Sequence, residues 1–283
     1  MKQVLLEKKR YEGCDYDSFA VHEDEIKNII DSGEVPEIVL PDNEPDKLTV
    51  GLLLGRDGSD YSIDEFYVAA IKKAGLNIRL ISYEKTAEQM QGIRGMVLPG
   101  GFFNSPQEWY VKKVEHETNN RTRAYIDAVE ETLKTGMPIL GICAGMQMLA
   151  GVRGYKDGLR MYYNLKEETG VAETHKGEKK NPKAHVIKIA NRNSKFFGIV
   201  QDDNFFVNSN HGESIIPQSI SPNGDIKLTA VSGEGIVEAI ELVDHPFAIG
   251  VQWHPEYTSV AFNDKYSERI FEALARAAAK YTS

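Results

Sequence analysis

The junction Gly141-Ile142-Cys143-Ala144-Gly145 constrains this chain more than any other stretch. The apolar run Met137-Pro138-Ile139-Leu140-Gly141-Ile142 leads into it with strand character, and Met146 to Ala150 can open a helix directly afterwards. A strand that hands over to a helix with no loop between them needs glycine where backbones pass at close range. Cys143 then sits at the apex, beside the free N–H groups and positive dipole end of the new helix. Such surroundings favour thiolate, the reactive form of cysteine. A cysteine alone is more often a small buried hydrophobe, so the functional reading depends on partners elsewhere in the chain.

A cysteine nucleophile needs a base, and the base benefits from a group that fixes its tautomer. Both types occur in Gly250-Val251-Gln252-Trp253-His254-Pro255-Glu256-Tyr257. Phe247 to Trp253 reads as a strand, and Pro255 disfavours helix at His254, so the segment is expected to run on extended. Residues i and i+2 of an extended segment share a side, which lets His254 and Glu256 face one pocket. Leu98-Pro99-Gly100-Gly101 follows the β-type run Gly95 to Leu98. The N–H of Gly101 (or Gly100) together with that of Ala144 could serve a developing oxyanion, although an ordinary loop needing positive φ reads the same way. Val207-Asn208-Ser209-Asn210-His211-Gly212-Glu213 is either a clamp of backbone and amide groups or a turn, since Asn, Ser and Gly favour turns.

Strands and helices alternate around these segments. Lys47 to Leu54, Ile78 to Ile81 and Gly95 to Leu98 are strand-like. Ile63 to Ala74 carries Phe66, Ala70, Ile71 and Ala74 on one helical face and stops at Gly75; Arg121 to Thr135 does the same with Tyr125, Ile126, Val129 and Leu133 before Gly136. The alternation predicts an α/β fold, a mostly parallel sheet with helices on both faces and its active residues at the carboxyl ends of strands. Gly151 to Lys183 is polar and carries Lys176, Lys179, Lys180 and Lys183. Such a run is usually solvated, yet it lies between Cys143 and His254 and could wall a pocket. Ala184 to Ile189, Lys227 to Ala230, Ile236 to Leu242 and Phe247 to Trp253 read as a smaller antiparallel β portion, and Asp264 to Lys280 as a closing helix. Residues 47–283 form the main domain. Residues 1–46 form an N-terminal extension, with a short helix over Asp24 to Asp31 and a linker at Pro41 to Asp46; it serves as a packing embellishment or as a contact for a second subunit.

The net charge of −9 argues against nucleic acid or an anionic membrane as the main partner. No apolar run approaches the ~20 residues of a membrane span, and Met1 to Arg10 lacks the apolar core of a secretory signal. Two cysteines, Cys14 and Cys143, make no disulfide framework, so cytoplasmic residence is the expectation. The seven histidines are scattered and no cysteine pair exists; neither a metal site nor a cofactor is expected.

Taken together, the elbow Gly141 to Gln147, Gln252-Trp253-His254-Pro255-Glu256, the glycine pair after Leu98-Pro99, and Asn210-His211-Gly212 resemble the class I glutamine amidotransferase superfamily. The likeness spans about residues 47 to 283 and is nearest to γ-glutamyl-γ-aminobutyrate hydrolase-like (peptidase C26) proteins. It implies a flavodoxin-like core and a catalytic triad of Cys143, His254 and Glu256. Cys143 would attack the γ-carboxamide carbon of a small γ-glutamyl substrate, and water would hydrolyse the resulting thioester. Gln147, Asn210, His211 and Gly212 match positions that hold the glutamyl group. The chain departs from the branch in carrying Ala144 where arginine is common and His211-Gly212-Glu213 where a second histidine and a glutamine are common, which leaves the leaving amine open. A glutaminase subunit serving a synthase partner, an inactive binding protein on the same fold, an acyltransferase and a homodimer all stay open.

Overall fold

The runs Met96–Leu98, Ile139–Ile142 and Ala248–Val251 are buried at every residue. A strand with no solvent face belongs to a sheet covered by helices on both sides. In the computed structural model these three join Thr49–Leu53 and Asn77–Ile81 in a parallel core, in the order Asn77–Ile81, Thr49–Leu53, Met96–Leu98, Ile139–Ile142, Ala248–Val251. That is the 2-1-3-4-5 order of flavodoxin-like sheets. Residues 1–40, 42–101, 103–171 and 175–282 are described, apart from the side chains of Arg56 and Asp57. Pro41 of the expected linker, Phe102 and residues 172–174 of the polar segment lie outside the described residues.

Alternate residues of each strand feed two separate cores. Leu52, Leu140 and Ile249 pack with Ile71 of helix Glu65–Lys73 and Phe271 of helix Lys265–Lys280 on one face. Leu53, Met96 and Ile139 pack with Val129 of helix Asn120–Thr135 and Met146 of helix Ala144–Gly154 on the other. Beyond Ala248–Val251 the sheet continues antiparallel through Val237–Leu242, Ile226–Ser232, His185–Ile189 and Asn204–Val207. The expected antiparallel portion is therefore an extension of the main sheet. Among the described residues, no helix is long and apolar enough to cross a membrane.

Residues 1–46 are woven into both sheets. Lys2–Val4 and Pro36–Val39 extend the main sheet past Asn77–Ile81, and Glu23–Asp31 forms the short helix. Ser18–His22 pairs with Asp60–Asp64 in a second, four-stranded sheet. That pairing changes one boundary: Ile63 belongs to a strand, and the helix expected from it begins at Glu65 instead. The physical reason is Asp64, whose carboxylate accepts from the Phe66 N–H at 2.8 Å and caps the helix there.

Candidate active site

The strand Ile139–Ile142 ends at Cys143, whose N–H donates to the Val251 carbonyl at 2.8 Å. The helix begins one residue later, at Ala144. To turn this sharply Cys143 adopts φ 54° and ψ −113°, a strained conformation for a residue with a side chain. Its neighbours hold it there. A Cβ on Gly141 would stand 2.7 Å from the Gly145 carbonyl oxygen, and one on Gly145 only 2.1 Å from that of Leu98. Glycine at both positions is what lets strand and helix meet this closely. Cys143 is 6% exposed, at the base of a cavity of about 890 Å³ that Tyr67, Gly100, Ala144, Gln147, Asn210 and His254 also line.

His254 also lines this cavity. Sequence alone suggests an extended path through His254 to Glu256, but the strand stops at Val251 and Pro255 opens a helix, Pro255–Phe262. Proline is well suited to a first helical position, where its missing N–H and fixed φ carry no cost. Glu256 is therefore in the first helical turn. The two side chains still meet, with His254 Nδ1 2.7 Å from Glu256 Oε1 and both residues buried. Burial pulls the His254 imidazole down, but the charges of Glu256 and Cys143 outweigh it and raise its pKa to about 9. Burial pushes the Glu256 carboxyl up, but the His254 charge, with help from Lys179, holds it below the usual carboxylate value.

Several residues that complete this arrangement carry no motif. Lys179 Nζ stands 2.7 Å from Asp64 Oδ2 and 3.5 Å from Glu256 Oε1, and these carboxylates raise its pKa despite burial. It comes from the lysine-rich stretch that composition marks as solvated. Asn208 is fully buried: its Oδ1 accepts from the His254 N–H at 3.0 Å, and its Nδ2 donates to the carbonyls of His254 (3.1 Å) and Lys179 (2.6 Å). The amide thus fixes the backbone of His254. Tyr67 Oη accepts the Gly100 N–H at 2.9 Å. Gly101, at φ +143°, and Ala144, the first residue of the helix after Cys143, also line the cavity. Of the residues matched to glutamyl binding, Gln147 donates to the Glu213 carbonyl and to Gln252 Oε1, both at 3.1 Å. The Asn210 carbonyl is 3.8 Å from Cys143 Sγ, and the Gly212 carbonyl accepts from Leu165 N–H at 2.7 Å. The His211 imidazole turns away from the cavity centre toward buried Glu238. Residues 1–46 contribute a wall through Tyr11, Cys14, Tyr16 and Ser18.

The peptidase C26 family profile matches residues 55–256, most of the chain and both ends of this site. The chain belongs to the peptidase C26 family. As a C26 protein it sits within the class I glutamine amidotransferase superfamily and is a hydrolase of the glutamine amidotransferase type, acting on C–N bonds. The γ-glutamyl-γ-aminobutyrate hydrolase PuuD of Escherichia coli K12 is 28% identical over 228 residues, covering 76% of this chain and 86% of PuuD. The CTP synthase of Thermotoga maritima is 26% identical over 236 residues, 74% of this chain but 42% of the synthase. The glutaminase domain of Trypanosoma brucei CTPS, solved with bound acivicin, shares the fold, with a TM-score of 0.57 at 14% identity over 83% of this chain and 95% of that domain.

Proposed function

We propose that this C26 protein hydrolyses γ-glutamyl amides of small amines through a γ-glutamyl thioester on Cys143. The observation that carries the proposal is the 2.7 Å contact between His254 and Glu256 at the buried base of the Cys143 cavity. Cys143 Sγ attacks the γ-carbonyl carbon, and the N–H groups of Gly101 and Ala144 receive the oxyanion. The His254 imidazolium gives its Nε2 proton to the departing amine, which leaves with the C–N bonding electrons. Neutral His254 then takes a proton from water as it attacks the thioester. Glutamate leaves, and the thiolate and imidazolium are restored. Gln147, Asn210 and Gly212 hold the glutamyl end through amide and backbone groups. The protein alone, incubated with a panel of γ-glutamyl amines that includes glutamine, is expected to release glutamate from at least one of them. No release from any, with Cys143 reduced and alkylatable, would sink this reading.

A glutaminase subunit feeding ammonia to a separate synthase is the second reading, supported by the similarity to CTP synthase. It requires negligible glutamine hydrolysis by the protein alone and a rise on adding the synthase.

The pH profile follows from the charge of His254. Its pKa of about 9 lies above the ordinary 6.5, so the imidazolium that protonates the amine is present at neutral pH and is lost as pH rises through about 9. Acylation is expected to decline there, while the stability contributed by the buried pair is full below about pH 6.5 and is lost as pH rises from there through about 9. A pre-steady-state rate profile whose alkaline limb lay near 6.5 would contradict this. Asn208→Ala frees the His254 backbone without touching the reacting atoms. It is expected to lower kcat about 10²-fold with little change in KM, and an unchanged kcat would remove Asn208 from the positioning set.

A further inference from the structure

Three of the seven histidines, far apart in sequence and spaced like no metal motif, converge on one buried carboxylate beside the candidate site. Glu238, on the strand Val237–Leu242, is fully buried. His185 Nε2 lies 3.0 Å from its Oε1, His175 Nδ1 3.5 Å and His211 Nε2 3.8 Å, while His175 Nδ1 and His211 Nε2 are 3.1 Å apart. We propose that His175, His185 and Glu238, with His211 at their edge, form a structural site for a zinc-class divalent ion.

Geometry carries the proposal. Bonds of 2.0–2.1 Å to a tetrahedral zinc put neighbouring donor atoms roughly 3.3–3.4 Å apart. The donor atoms of His175, His185 and Glu238 all lie within 4.8 Å of one another, and the contacts of Glu238 with His185 (3.0 Å) and His175 (3.5 Å) bracket that edge. Three imidazole nitrogens lie within 3.8 Å of the buried Glu238 carboxylate. A buried carboxylate so placed calls for positive charge beside it. The tautomers suit ligation as well. His211 Nδ1 lies 2.9 Å from the Glu213 carbonyl oxygen; donation there leaves the Nε2 lone pair aimed at the cluster, the arrangement usual for metal-bound histidine. Zinc would displace any proton shared among the imidazoles. With side chains at most 3% exposed, the site is closed to substrate. Its role is to pin two segments. His175 and His211 belong to paired stretches in which the His211 N–H donates to the His175 carbonyl at 2.7 Å and Ser209 Oγ to the same oxygen at 2.8 Å. One stretch continues to Lys179 beneath Glu256; the other holds Asn208 and Asn210.

The test is metal content and needs no turnover. Full-length protein, purified without a polyhistidine tag from zinc-supplemented cells and desalted, is expected to carry about one zinc per chain by mass spectrometry. Cobalt(II) added to stripped protein should give the visible bands of a tetrahedral site. His185→Gln and Glu238→Gln are expected to lose the metal at least tenfold, while Cys143→Ala keeps it. If the wild type retains no transition metal, zinc does not raise its melting temperature and cobalt gives no such bands, the four residues form a hydrogen-bond network and the proposal falls. It also falls if His185→Gln keeps its full complement, or if the cobalt spectrum disappears in Cys143→Ala. Should both cluster variants fail to fold, the wild-type metal content and cobalt spectrum decide alone.

Discussion

Cys143→Ala removes turnover by roughly 10⁴–10⁶-fold while leaving the fold intact, the scale seen when a covalent nucleophile is deleted. The size of the loss follows from the elbow. Main-chain hydrogen bonding at Cys143 runs to Val251, Met146 and Gln147, so the substitution removes the sulfur and little else. Alanine keeps the Cβ that fits the turn, and the strain at φ 54° is already present in the parent. Melting temperature and circular dichroism should therefore match the parent while glutamate release disappears. Substantial residual activity would mean that water attacks the amide directly, and the thioester route would be wrong.

Lys179→Met has a different signature, acting on stability and rate together. Lys179 joins Asp64 and Glu256 beneath the base, and all three are mostly shielded from water. Deleting one partner of a buried ion pair leaves uncompensated charge and costs about 3–5 kcal/mol. The sign with pH is fixed. Without the ammonium, both carboxyls titrate higher, so the destabilisation is largest where they are ionised and shrinks as pH falls and they protonate. Glu256, no longer partly neutralised by the ammonium, would also hold the His254 proton more firmly, moving the alkaline limb of the rate profile above its position near pH 9. Denaturation at pH 8 and pH 5, set beside the rate profile, checks both. A variant with parental stability and an unmoved limb would show that Lys179 merely solvates the pocket edge.

The elbow and the parallel core are legible in the sequence because they are local. Fully apolar runs mark strands covered on both faces, and Gly141 and Gly145 mark a crossing whose tightness the contacts with Gly145 and Leu98 confirm. His254 and Glu256 are legible as a pair, yet Pro255 begins a helix where an extended path reads naturally, since proline before a helix and proline after a strand look alike. Lys179 and Asn208 give no local signal. Lys179 sits in a run with the composition of a solvated surface, and Asn208 in one with the composition of a turn; only long-range folding sets them against Glu256 and His254. The N-terminal wall is hidden for the same reason, because Ser18–His22 finds its partner strand Asp60–Asp64 only after a helix and further strands have intervened. The histidine cluster is the extreme case, with His175, His185 and Glu238 brought together from three separate segments.

The most direct test of the central claim is to mix the protein with its best γ-glutamyl amide, quench in acid within a turnover, and map the peptides by mass spectrometry. A γ-glutamyl group on the peptide containing Cys143, absent once substrate is exhausted, is the result expected. Turnover proceeding with no acylated Cys143 at any time point, or with the glutamyl group on another residue, would contradict the account.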